Sequence, residues 1–217
     1  MTVAIQYFGL SCFKLKTKVG NDEVSLLTDP FNPSCGLKLP RNLEANIVTS
    51  SSKHENHDYL NSVSGNPFII NGPGEYEVKK VFVYGIRSPI EGDTKKNQNT
   101  IYRIEIGDLS FAHLGNLGNS LTEKETEELQ DIDILFLPVG GNGILNAKMA
   151  MEVVNAVQPR IVIPCHFKLP DLKITLDQVE KFLREFGEDK LESQSKVKIA
   201  KKDLPQEDTE IILMGRE

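Results

Sequence analysis

Apolar residues along this chain fall mostly in short runs of four to eight, bounded by glycine, proline and asparagine, which is the punctuation of a strand-rich fold. Val3 to Phe8 and Cys12 to Thr17 alternate and β-branch as two strands joined at Gly9-Leu10-Ser11, and Val24 to Thr28 is a third that stops at Asp29-Pro30. The run Pro30 to Pro40 is a loop, too long for a simple turn. Ile47-Val48 is a buried strand that empties into the polar loop Thr49 to His57. Asp58 to Val63 reads as a short helical piece, Phe68 to Ile70 as a strand, and Asn71-Gly72-Pro73-Gly74 as a tight turn. Val78 to Ser88 and Asn99 to Ile106 form a hairpin pair around the polar loop Pro89 to Gln98. The Lys95-Lys96 pair in that loop reads as solvated.

The second half changes rhythm. Leu109 to His113 is a strand, and Thr122 with Glu125 three residues on opens an acidic helix through a capping box, giving it a solvated face. Ile132 to Val139, apolar apart from Asp133, reads as a strand buried on both faces. Helices follow over Leu145 to Val157 and, amphipathically, Thr175 to Phe186, with a strand over Arg160 to Pro164 between them. Lys196 to Ala200 and Glu210 to Met214 are the last strands. Strands first, then alternating strand and helix, fit an α/β architecture of two packed sheets with helices outside. The length of 217 residues and the absence of a dividing linker predict a single domain over residues 1–217.

Composition narrows the function classes. With 39% hydrophobic and 26% charged residues the chain is an ordinary globular one, and a net charge of −6 argues against a general nucleic-acid binder. No window reaches the roughly 18 apolar residues of a membrane span, and the N-terminus opens as a strand rather than a signal peptide. Three cysteines without Cys-x-x-Cys spacing predict a reduced, cytoplasmic setting in which Cys12, Cys35 and Cys165 are small core residues.

All four histidines follow apolar runs: His54 and His57 after Ile47-Val48, His113 after Phe111-Ala112, His166 after Ile163-Pro164-Cys165. Strand ends are rigid bases for ligands, and imidazole is the commonest zinc ligand. Around them run Gly9-Leu10-Ser11-Cys12-Phe13, Leu27-Thr28-Asp29-Pro30-Phe31, Gly72-Pro73-Gly74-Glu75-Tyr76-Glu77, His113-Leu114-Gly115-Asn116-Leu117-Gly118, Leu137-Pro138-Val139-Gly140-Gly141 and Ile163-Pro164-Cys165-His166. In this order the segments resemble the metallo-β-lactamase superfamily, in particular its branch of small cytosolic hydrolases similar to ascorbate-6-phosphate lactonase.

The resemblance implies a four-layer αβ/βα sandwich with two metal ions at one rim and a metal-bound hydroxide attacking an ester, lactone, amide or phosphoester. It implies His54, His57, His113 and His166 as metal ligands. Read from the residues, Asp29 caps its loop or supports the site, and it is the best remaining carboxylate for orienting a ligating imidazole. Against the family's His-x-His-x-Asp-His loop, however, this chain has Ser52 for the first histidine and Asn56 for the aspartate. Asn116 stands for the bridging aspartate, and Leu10 for a nearby histidine. Without those carboxylates two divalent ions are disfavoured, so one zinc or manganese ion at most is expected, or a metal-free pocket of hydroxyls and amides. Two functions follow. One is a hydrolase-like protein with weak or absent metal-dependent hydrolysis, and the other is an active single-ion hydrolase. The substrate or ligand is an unspecified small molecule, and assembly into a homo-oligomer is compatible with either.

Overall fold

The computed structural model describes residues 1–88 and 98–217, so the expected Pro89 to Gln98 loop, Lys95-Lys96 included, lies outside the described residues except for Gln98. In chain order the strands are β1 (Thr2–Gly9), β2 (Cys12–Val19), β3 (Asp22–Thr28), β4 (Leu43–Glu44), β5 (Ile47–Thr49), β6 (Val63–Ser64), β7 (Phe68–Ile70) and β8 (Gly74–Val78). They continue as β9 (Val81–Ser88), β10 (Asn99–Ile106), β11 (Leu109–His113), β12 (Ile134–Pro138), β13 (Ile161–Cys165), β14 (Lys196–Ala200) and β15 (Glu210–Ile211). The described α-helices are α1 (Glu123–Glu128), α2 (Ala147–Val157) and α3 (Glu180–Phe186).

Two mixed sheets carry the fold, one in the order β14-β1-β2-β3-β5-β7 and the other β15-β13-β12-β11-β10-β9-β8, with β4 and β6 pairing apart from them. They meet face to face in the α/β sandwich that the sequence order predicts. Phe13 of the first sheet packs on Phe136 of the second at 4.3 Å between ring centres. The buried Tyr102 hydroxyl reaches across to the carbonyls of Ser50 and Ile70. Each fully buried aromatic of this kind contributes up to about 3 kcal/mol of apolar burial, a sizeable fraction of the net stability of a domain.

Local rules explain most element ends. Thr122 and Glu125 form the reciprocal capping box of α1. Asn146 accepts the Met149 amide to start α2, whose Ala150, Val153, Val154 and Val157 share one buried stripe. The α1 face is less solvated than its charge suggests, because Glu125 is buried against its own cap.

Four expectations need correction. Thr175 to Phe186 is helical only over α3. Asp177 donates its amide to the Gly140 carbonyl and accepts from Lys168 N, while the Thr175 carbonyl takes the Asn142 side-chain amide. These long-range bonds hold residues 175–178 off the helix despite its amphipathic pattern. The stretch from Asp58 to Val63 is only a 3₁₀ turn at Leu60–Ser62 running into β6, and the strand expected to Met214 ends at Ile211 apart from a lone bridge of Met214 to Gln194. Finally, the tight turn expected over Asn71-Gly72-Pro73-Gly74 gives its last residue to a strand. Gly74–Val78 is an edge strand paired with β9, and Lys79 and Lys80 both adopt positive φ (51° and 62°) to close the hairpin. Gly85 makes room for it: a Cβ there would lie 2.6 Å from the Gly72 carbonyl oxygen.

Candidate metal centre

Parallel strands end at a common edge, and this chain uses that twice. β3, β5 and β7 run parallel, as do β11, β12 and β13, so Asp29, the loop from Ser50 to His57, His113 to Asn116 and His166 all leave the sheets in the same sense. The turn between β1 and β2 closes the space between them. The amide of His166 donates to the Leu10 carbonyl at 2.8 Å, and Ser11 touches two histidines.

Asp29 is fully buried with φ 40°, a conformation aspartate tolerates better than most residues. Its Oδ1 accepts the Ser51 amide at 2.7 Å. Its Oδ2 accepts the Ser51 hydroxyl at 2.6 Å and the His57 Nδ1–H at 2.7 Å. Burial alone would raise this carboxyl, but His113, His57 and the hydrogen bonds outweigh it and hold it below the ordinary aspartate value. With Nδ1–H committed to the carboxylate, Nε2 is the His57 nitrogen left to face a ligand.

The His57 ring stacks on that of His166, 5.1 Å apart and 20° from parallel, and His54 stands edge-on to His57 at 6.3 Å. The Nδ1 of His166 shares a 2.9 Å hydrogen bond with the Ser11 hydroxyl. His54 uses Nδ1 to accept the Asn56 amide at 3.3 Å, and its pKa is lowered by burial and by His57.

His113 is placed differently. Its fully buried ring packs edge-on to Phe13 and tilted against Phe136, and its Nε2–H donates to the Ser11 carbonyl at 2.9 Å. Its Nδ1 is buried without a hydrogen-bond partner among the described residues. Ser52 and Asn56 are buried, and Asn116 is half-buried with its amide donating to the Asn99 side chain. Cys165 is buried, as its strand position predicts.

Three contributors have no chemical signature in the sequence. Ser11 braces His113 and His166 together, and Ser51 shares Asp29 with His57. Asn99, wholly buried, accepts from Asn116 N and donates to the Leu114 carbonyl at 2.9 Å, fixing the turn after β11. Position hinted at Ser51 alone, which lies in the loop that carries His54 and His57. The turns themselves leave no slack. A Cβ on Gly140 would stand 2.1 Å from the His166 carbonyl oxygen, and one on Gly115 would strike Ser51 at 2.3 Å. Among the described residues no three His, Cys, Asp or Glu side chains are grouped so as to hold a metal ion.

The buried imidazoles make stability pH-dependent. Burial lowers His166 well below the usual histidine value, with His57, His54 and His113 adding to it, and burial lowers His113 despite Asp29 beside it. Below the unfolded value of about 6.5 the unfolded chain therefore binds more protons than the folded one, so stability falls as pH falls. The denaturant midpoint is expected to drop between pH 7 and pH 5, and to drop less in His166→Gln. Equal midpoints at the two pH values would mean that these rings are protonated as readily in the fold as outside it.

Comparison with known proteins bears on this site. The family model described as the beta-lactamase superfamily domain matches residues 4–166. The UPF0173 metal-dependent hydrolase of Thermococcus onnurineus is 28% identical over 200 residues, covering 76% of this chain and 84% of that protein. A solved structure from Thermotoga maritima, described as a Zn-dependent hydrolase of the metallo-beta-lactamase superfamily, is 31% identical. It covers 98% of both chains with a TM-score of 0.78. A metallo hydrolase from Ignicoccus hospitalis shares the fold at 18% identity and a TM-score of 0.66, over 92% of this chain and 99% of that one. No described helix is long and apolar enough to cross a membrane.

Proposed function

Because the chain belongs to the beta-lactamase superfamily, we propose that it is a metal-dependent hydrolase fold whose two-ion centre has been dismantled, leaving weak or no metal-dependent hydrolysis. One observation carries this reading. The matched ligand positions hold Ser52, Asn56 and Asn116, and Asp29, the buried carboxylate beside the histidines, is turned onto Ser51 and His57. Two divalent ions about 4 Å apart repel by roughly 16 kcal/mol at an effective dielectric of about 20. Bridging and terminal carboxylates normally offset that repulsion, and neutral amides do not. The donors present therefore do not fit a pair of ions.

A second reading has its own support. Asp29 holds His57 by its Nδ1–H, the arrangement that orients a ligating imidazole, and His166 stacks beside it. One zinc or manganese ion held there, with His54 as a further ligand, would give a single-ion hydrolase of an ester, lactone or phosphoester. His113 would join that set through its unpartnered Nδ1, its Nε2–H staying on the Ser11 carbonyl.

Elemental analysis of protein purified without chelators or a histidine tag separates the two. The expected result is well under one zinc or manganese per chain and no turnover of generic phosphodiester, lactone or ester probes. A stoichiometric ion with turnover would establish the single-ion hydrolase instead.

A further inference from the structure

Behind three of the four histidines stands a polar partner that bears on where the ring carries its hydrogen. The Nδ1–H of His57 is held by a carboxylate and the Nε2–H of His113 by a carbonyl. Both partners can only accept, so the hydrogen on each of those nitrogens is fixed. His166 differs. Its Nδ1 meets the Ser11 hydroxyl at 2.9 Å, a group that can donate or accept. The ring itself has little latitude, because His166 is 4% exposed, its amide donates to the Leu10 carbonyl and it stacks on His57. Only the place of one hydrogen is left open.

The hydrogens available decide it. Ser11 is fully buried, and its hydroxyl carries a single proton. Besides His166, that hydroxyl reaches the Gly115 carbonyl at 3.5 Å and hydrogen-bonds the Cys165 thiol. A carbonyl can only accept. With the hydroxyl proton sent there, Oγ is left as an acceptor and Nδ1 supplies the hydrogen between them, so two bonds form. If the hydroxyl donated to Nδ1 instead, its one proton would be used up and the contact with Gly115 would be lost. Buried polar groups favour the arrangement in which more of their bonds are made.

We propose that Ser11 is the positioning residue of His166, holding the neutral ring with its hydrogen on Nδ1 and its lone pair on Nε2. His166 then meets the site as an acceptor, the form that a metal ion or a ligand hydroxyl requires. Ser11 does with a hydroxyl for His166 what Asp29 does with a carboxylate for His57. Its backbone carbonyl holds His113 as well, so one residue of the turn between β1 and β2 orders two rings. The assignment describes the protein without an ion and is independent of whether one binds.

Long-range proton–nitrogen correlation NMR on isotope-labelled, chelator-treated protein tests it, because the spectrum reports which ring nitrogen carries the hydrogen. At about pH 8 the rings are neutral, burial having lowered the pKa of His166 further. His166→Gln identifies the His166 signals by their loss. In the parent, the form with hydrogen on Nδ1 is expected to outweigh the other roughly tenfold or more, the weight of one buried hydrogen bond. In Ser11→Ala that preference is expected to be lost, since Nδ1–H would become a buried donor without its acceptor. A merely structural role for Ser11 would lower the melting temperature and leave the hydrogen where it was. The proposal is overturned by a parent spectrum with the hydrogen on Nε2, or by folded Ser11→Ala that keeps it on Nδ1. Should Ser11→Ala fail to fold, the parent spectrum decides alone.

Discussion

Introducing Ser52→His, Asn56→Asp and Asn116→Asp together is expected to raise affinity for zinc or manganese at least a hundredfold over the parent. The expectation rests on charge and on count. Two new carboxylates offset the repulsion between ions, and a third imidazole joins the loop that already bears His54 and His57. A hundredfold corresponds to about 2.7 kcal/mol, a modest fraction of what a full set of ligands to a divalent ion supplies. Ser52 and Asn56 are buried at the rim, so the new groups enter a confined space rather than open solvent. Competition against a chromophoric chelator measures the change. Asn116→Asp alone should recover only part of it, since one carboxylate cannot complete either ion's shell. A triple variant that folds and still binds metal no better than the parent would show that these three positions do not face a common ion.

Loss of the Asp29 carboxylate has the second large effect. Asp29→Ala strands three buried donors at once, the Ser51 amide, the Ser51 hydroxyl and the His57 Nδ1–H. Leaving three buried donors without their acceptor costs about 3–5 kcal/mol, at roughly 1–3 kcal/mol for each group left unsatisfied. For a chain of this length that lowers the melting temperature by roughly 6–20 °C. Asp29→Asn is expected to be milder, because the amide oxygen can still accept and asparagine also tolerates the positive φ of 40°. Scanning calorimetry on the two variants reads both effects. A shift of less than about 2 °C for Asp29→Ala would mean that water replaces the carboxylate and that the network around His57 holds without it.

The core strands were legible because their hydrophobic runs are locally sufficient. Ile134 to Pro138 and Ile161 to Cys165 are apolar along their whole length and buried on both faces, and the capping box at Thr122 needs only four consecutive residues. The segment before α3 was not legible. Its amphipathic pattern is real, but bonds to Gly140, Asn142 and Lys168 hold residues 175–178 extended, and nothing local announces partners tens of residues away. The edge strand Gly74–Val78 was hidden for the opposite reason: Gly72-Pro73-Gly74 signals a turn strongly, and the strand begins on its last residue.

By itself the sequence determined the family and the buried strands, since matched short segments carry the one and unbroken apolar runs the other. Which way each histidine faces was decided by the tertiary structure alone. His57 and His166 stack beneath a loop while His113 turns between Phe13 and Phe136 onto the Ser11 carbonyl. Ring orientation depends on what packs against each face and which hydrogen-bond partner lies within about 3 Å. For His113 those neighbours come from strands far apart in the chain, so no local pattern could have set them.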